Sequence, residues 1–213
     1  MADSIFTLSL LETRVLGTLV EKQRTVPDTY PLSLNTLAAG CNQKTSRQPV
    51  LEAGEPEILL ALENLKEFGL VSEVSGSRVV RFAHHLEKVL GVPTQASALL
   101  TVLMLRGPQT AGELRLNCER LHKFADISAV EAFLEELADR SDGALVVELP
   151  RLPGARENRW SHLLSGQPTS ESQAGGRGAA TSSAQEVDEL RSRVAALEAE
   201  VGALREIVDR LRG

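Results

Sequence analysis

The chain has 213 residues, 42% of them apolar, enough for one large domain or two small ones around ordinary hydrophobic cores. A formal charge of -6 and a pI near 5.4 exclude a protein that coats nucleic acid or anionic membrane by bulk charge, which leaves only local basic patches for such contacts. One Trp, one Tyr and five Phe leave the cores to Leu, Val and Ala.

Ser9 to Glu12 reads as a capping box, and Leu8, Leu11, Val15, Leu16 and Leu19 draw one apolar stripe, predicting a first helix that ends near Gln23. After the break from Pro27 to Pro31, Ser33 is placed to cap a short helix carrying Leu34, Leu37 and Ala38, with Gly40 near its end. From Cys41 to Gly54 the chain is polar, holding Asn42, Gln43, Lys44, Arg47 and Gln48 around Pro49, and predicts a long turn. Pro56 suits a first helical turn; Ile58, Leu59, Leu62 and Leu65 then recur at helical spacing, and Gly69 closes the helix. Val71 to Val74 and Val79 to Phe82 flank Ser75 to Ser77 and predict a two-stranded ribbon. Helix, helix, helix, ribbon is the grammar of a winged helix.

The plan repeats after His84, His85 and Pro93. Thr94 is placed to cap a helix in which Leu99, Leu100, Val102, Leu103 and Leu105 leave little polar face, so it should be the most buried helix of the protein. Gly107 and Pro108 stop it. Thr110 to Glu113 is a second capping box, opening a helix through Leu114 and Cys118 to about Leu121, and Ser128 to Glu131 is a third, opening a helix with Val130, Phe133, Leu134 and Leu137 on one side. Ala144 to Leu149 and Arg159 to Leu163 read as strands joined by a long wing that holds Pro153 and Gly154. The expected fold class is mainly α with small β-hairpins (α+β). It comprises two tandem winged-helix domains over residues 1–86 and 87–164, a flexible linker over 165–185 and a coiled-coil helix over 186–213.

These residues resemble the YceH-like family of bacterial proteins of uncharacterised function. The likeness is carried by the string from Leu34 to Arg47, by Gly76 to Arg78 and by Leu105 to Arg115, strings longer than any generic helix-turn-helix pattern, and it spans roughly residues 5–164. Two winged-helix domains are what the resemblance implies for the fold. It implies no activity.

Ser165 to Gln185 is rich in Gly, Ser, Ala, Thr and Gln with no apolar periodicity, as a linker should be. Beyond it Val187, Val194, Val201 and Val208 fall at one position of a heptad and Leu190, Leu197, Leu204 and Leu211 at the other. Valine at the first and leucine at the second favour a parallel two-stranded coil, and the facing pairs Glu186–Arg191, Arg193–Glu198 and Glu200–Arg205 are all attractive in that arrangement. The expected partner is a second copy of the chain. The simpler alternative is a lone amphipathic helix packed back on the globular part.

No enzyme, cofactor or metal is expected. Cys41 and Cys118 have no CxxC spacing and no histidine at ligand distance, and read as small buried residues. His84 and His85 are adjacent, so on an extended chain they point apart, and they read as exposed residues at a strand end. Glu135 and Glu136 are helix neighbours with no facing carboxylate, and Gly175 to Gly178 lacks the strand and the Lys-Ser/Thr of a phosphate loop. The beginning carries no secretory signal and the apolar run from Ala98 to Leu105 is too short to span a bilayer, so a cytoplasmic protein without a membrane partner is expected.

A winged helix ordinarily lays its third helix in the major groove of DNA. Here the first such helix sets Glu55, Glu57, Glu63 and Glu67 against Lys66, and the second sets Glu131, Glu135, Glu136 and Asp139 against Arg140, so phosphates would repel both. The cations lie elsewhere: Lys44 and Arg47 in the long turn, Arg78 and Arg81 in the first wing, Arg156 and Arg159 beside Trp160 in the second. They are the candidate nucleic-acid residues, gripping backbone or minor groove of double-stranded DNA from the wings, in a DNA-associated regulator. The competing reading is an interaction or scaffold module whose acidic helices meet an unidentified basic protein, with no DNA bound. Trp160 reads as wing-base packing.

Overall fold

The computed structural model describes residues 6–75, 79–152 and 154–168; the readings made for Arg78 and for the heptads from Val187 to Leu211 fall outside them. At Ser9, Ser33 and Thr110 the helix starts where the sequence carries its capping signal. α1 (Leu10–Thr25) opens on Ser9, whose Oγ accepts from Glu12 N at 3.2 Å while the Glu12 carboxylate accepts from Ser9 N at 2.7 Å. α2 (Leu34–Cys41) opens on Ser33, and α3 (Glu55–Glu67) carries Pro56 in its first turn. Gly69, at φ +70°, turns the chain out of α3 in the left-handed conformation that glycine adopts freely.

The first ribbon is three-stranded. β1 (Leu32–Ser33), β2 (Val71–Val74) and β3 (Arg81–His84) run in the order β1-β3-β2, all antiparallel. β3 begins two residues later than its hydrophobicity predicts, because pairing Val74 with Arg81 and Val71 with His84 buries Phe82 and His84 and leaves Val79 and Val80 exposed. β1, at two residues, is too short to have been read.

α4 (Leu86–Leu90) is a single turn and a half closed by Gly91, and no 3.6-residue period could reveal it. α5 (Thr94–Arg106) is buried at every residue from Ala96 to Leu105, as its composition predicts. Thr94 does not cap it: Pro93 holds that position, and Thr94 Oγ1 turns instead to Glu87 at 3.4 Å. α6 (Ala111–Asn117) opens on the Thr110 capping box and stops short of Leu121. α7 (Ile127–Ala138) starts earlier than the box at Ser128 predicts, because Asp126 accepts from Ala129 N at 2.8 Å and takes the cap. β4 (Val146–Leu149) and β5 (Arg159–His162) make the second ribbon.

The described residues thus form an α+β fold with seven α-helices and two small antiparallel sheets. One cluster of buried apolar residues runs from Phe6 to Leu164 and draws on both helical units, so the two do not have separate cores. α1 lies along α5 in the most extensive contact between any two elements. The approach is close: a Cβ on Gly17 would stand 3.0 Å from Leu105 Cδ2. Leu8 N donates to Leu164 O at 2.7 Å, tying the segment before α1 to the exit of the second ribbon. Among the described residues no helix is long and apolar enough to cross a membrane.

The units repeat in finer detail than the helix order. In each, the residue just before the second helix's cap pairs with the aromatic of the last strand: Leu32 with Phe82, Gln109 with Trp160. Val71 and Glu73 match Val146 and Glu148, and Arg81, Phe82 and His84 match Arg159, Trp160 and His162, with Glu73 opposite Phe82 and Glu148 opposite Trp160. That correspondence stands in the sequence and shows once the ribbons are aligned.

Candidate functional site

The long connection between α2 and α3 is polar because it is a clamp. Arg47 is buried: its guanidinium donates to both oxygens of Glu21 on α1 at 3.2 and 2.6 Å, to Gln43 Oε1 at 2.9 Å, and to the carbonyls of Gly40 and Ser46. Arg14, fully buried on α1, donates to the carbonyls of Cys41 at 3.0 Å and Pro49 at 2.6 Å. Asn42 closes the connection on itself through two hydrogen bonds with the backbone of Ala53, at 2.8 and 2.9 Å. Gln48 N reaches Leu105 O at 2.8 Å, and Arg106 donates to Ser46 Oγ at 2.7 Å, so the loop is fastened to α5 as well. Burial pushes the Glu21 carboxyl up, but the hydrogen bonds and charge of Arg47, with Lys22 beside them, outweigh it and hold the group below the usual carboxylate range. Burial, then the charge of Arg47, lowers the Arg14 guanidinium.

This corrects the assignment of Arg47 to phosphate contact: every one of its nitrogens is turned inward to α1 and to the loop it folds. Arg159 is buried too and is likewise withdrawn from any phosphate. Arg81 spends its guanidinium on the carbonyls of Thr29 and Pro31, at 3.3 and 2.8 Å, holding the 3-10 turn Pro27–Thr29 to the ribbon. Lys44 and Arg156 are exposed. The described cations singled out from sequence are therefore not gathered into one outward-facing surface by their chemistry.

The histidines also differ from expectation. His84 is buried, donating from Nε2 to Gln23 Oε1 at 2.7 Å and accepting at Nδ1 from Leu86 N at 3.3 Å. Burial, aided by Arg24 and His85 against Glu87, pushes its pKa down to about 4. His162, its counterpart, is pushed down to about 4 by burial alone, and its Nδ1 has no hydrogen-bond partner. His85 meets Ser72 Oγ at 2.8 Å. Cys41 and Cys118 are buried free thiols, as read, raised by burial to about 11 and about 12 and so held unreactive. Among the described residues no three His, Cys, Asp or Glu side chains come together in a way that could hold a metal ion.

What the sequence missed is the outer face of α3. Ile58, Ala61, Leu62 and Leu65 are buried, while Pro56, Leu60, Glu63 and Glu67 fall within one narrow stripe of the opposite face at helical spacing. Leu60 is 60% exposed and Leu59, beside it, 41%. The sequence groups Leu59 with Ile58, Leu62 and Leu65 at helical spacing; the signal that separates it is that adjacent residues of a helix sit about 100° apart, and Ile58, Leu62 and Leu65 already define the inward direction. With Glu55 and Glu57 also exposed, α3 presents leucine framed by carboxylates.

A family model described as a protein of unknown function, DUF480, matches residues 8–155. A UPF0502 protein of Dechloromonas aromatica (strain RCB) is 74% identical over 208 residues, covering 98% of this chain and 97% of that protein. A UPF0502 protein of Burkholderia pseudomallei (strain 668) is 58% identical over 203 residues, covering 95% and 86%. One of Burkholderia multivorans (strain ATCC 17616 / 249) is 59% identical over 206 residues, covering 96% and 87%. The span matched by the family model includes the clamp, α3 and the first ribbon, and on this footing the chain belongs to the DUF480 (UPF0502) family of uncharacterised bacterial proteins, the YceH-like family that its sequence resembles.

Proposed function

We propose that this chain is a non-enzymatic tandem winged-helix module that binds a basic protein partner through the outer face of α3. In support of the winged-helix reading, each unit returns a short strand segment before its second helix to the last strand of its ribbon. The observation that carries the choice of partner is the pairing of Leu59 and Leu60 with Glu55, Glu57, Glu63 and Glu67 on an exposed helix. Carboxylates there repel a duplex, whereas exposed leucines inside an acidic frame suit a protein surface bearing Lys or Arg around an apolar centre. DNA-associated regulation through the wings is the weaker reading, since Arg47 and Arg159 are turned inward. The heptads from Val187 to Leu211 add a parallel homodimer, which doubles the number of α3 faces presented to a partner.

The test uses the full chain with a photo-crosslinking residue at Leu59, 41% exposed beside Leu60, and with Leu60→Asp and Glu63→Lys/Glu67→Lys as comparison variants of that crosslinking chain. A crosslinked protein lost by about tenfold in both variants is the expected result, in line with a central interface anchor. Random-sequence duplex at low salt is the counter-experiment: tight, steeply salt-dependent binding weakened by Lys44→Glu would overturn the proposal in favour of DNA.

A further inference from the structure

A second site lies where the second ribbon meets the starts of α6 and α7. An open cleft of about 360 Å³ there takes its walls from Ile127, Glu131, Glu148, Glu157, Arg151 and Arg156. Its walls are of two kinds. Ile127, 44% exposed, and Ala111 supply a small apolar floor, and a Cβ on Gly112 would stand 3.9 Å from both Ile127 Cδ1 and Glu157 Oε2, so floor and carboxylate converge on one spot. Around them stand three carboxylates and two guanidinium groups.

Opposite charges lining one cleft ordinarily neutralise each other. Here Glu148 takes only Asn158 Nδ2, at 2.8 Å, and none of Glu131, Glu157, Arg151 and Arg156 enters an ion pair among the described residues. Charges of both signs are thus held apart around an accessible concavity. A small apolar molecule is the wrong guest, because such ligands need enclosed, mostly apolar pockets. A charged side chain of a larger partner suits an open polar cleft better, its stem lying on the apolar floor and its head among the carboxylates.

We propose that this cleft is a binding site for a mixed-charge peptide segment. A Lys or Arg side chain lies over Ile127 with its cation on Glu131, Glu148 and Glu157, and a neighbouring acidic residue is held by Arg151 and Arg156 on the wing. The site stands apart from the outer face of α3 and does not depend on that face being used.

Trp160, the chain's one tryptophan, lines the cleft, so tryptophan emission, excited where Tyr30 does not absorb, reports on this site. The full chain is titrated with an end-blocked pentapeptide containing adjacent Arg and Asp, with all-Arg and all-Asp pentapeptides, and with free arginine. The mixed peptide is expected to give a saturable emission change, weakened about three- to fivefold by Glu131→Gln and similarly by Arg156→Gln, the range for exposed ion pairs. Both residues are exposed, so the variants should fold, and far-ultraviolet circular dichroism checks that they do. Equal saturation by free arginine overturns the peptide assignment in favour of a small zwitterion. Equal response to the all-Asp peptide, or none to the mixed peptide up to millimolar concentration, removes the site. An unchanged response in Leu60→Asp separates this outcome from the fate of the α3 proposal.

Discussion

Arg47→Ala is expected to destabilise the protein by about 3–5 kcal/mol, the range for removing one member of a buried ion pair. The loss has three parts that act together. Glu21 on α1 would keep its charge in a partly buried place without the two hydrogen bonds at 3.2 and 2.6 Å that hold it there. The carbonyls of Gly40 and Ser46 would lose their donor, and unpaired buried acceptors carry their own desolvation cost. The loop itself would lose the side chain around which Gln43 and α1 are arranged. Urea unfolding at pH 7 gives the number, and Glu21→Gln in the same background isolates the pair: the double variant should cost clearly less than the two single costs added. A cost below about 1 kcal/mol would show Arg47 to be an ordinary solvated charge. Duplex binding, by contrast, should be indifferent to this residue once folding is accounted for.

The second large effect is on acid stability. An ordinary imidazole titrates near 6.5, while His84 and His162 stay neutral in the fold down to about 4. Below pH 6.5 the unfolded chain takes up protons at these two places and the folded chain does not, so protonation draws the equilibrium toward unfolding. The stability they allow is fully present above pH 6.5 and falls between there and pH 4, by on the order of 3 kcal/mol for each histidine. The two differ in remedy. His84 is hydrogen-bonded at both nitrogens, whereas His162 leaves Nδ1 without a partner, so His162→Leu should keep or raise stability at pH 7. It should also roughly halve the slope of unfolding free energy against pH near 5. If wild type and variant show the same slope, His162 titrates normally and the burial argument is wrong for it. Further down, as pH falls through the lowered Glu21 value, the clamp loses its charge pair and stability drops again.

The helices whose caps are encoded within four residues, at Ser9, Ser33 and Thr110, are legible in the sequence because a side-chain cap is a local chemical statement. α7 was displaced because two residues, Asp126 and Ser128, compete for one cap and nothing in the string ranks them. β1 and α4 are shorter than the periods that reveal elements. The candidate site was read least well, and for a physical reason. Arginine is written the same whether it faces water or a carboxylate, and what places Arg47 inside is Glu21, 26 residues earlier and on α1. The histidines failed similarly: adjacency predicts that they point apart, but not that one of the two faces is the core.

The contact between α1 and α5 has a consequence for how the molecule can be divided. A chain severed after Gly91 would leave one fragment showing the face of α1 around Gly17 to water and the other showing Met104 and Leu105 of α5, each a sticky surface shaped to the other. Such halves are a split protein in waiting, insoluble apart and able to rebuild the parent fold when made together in the same cell.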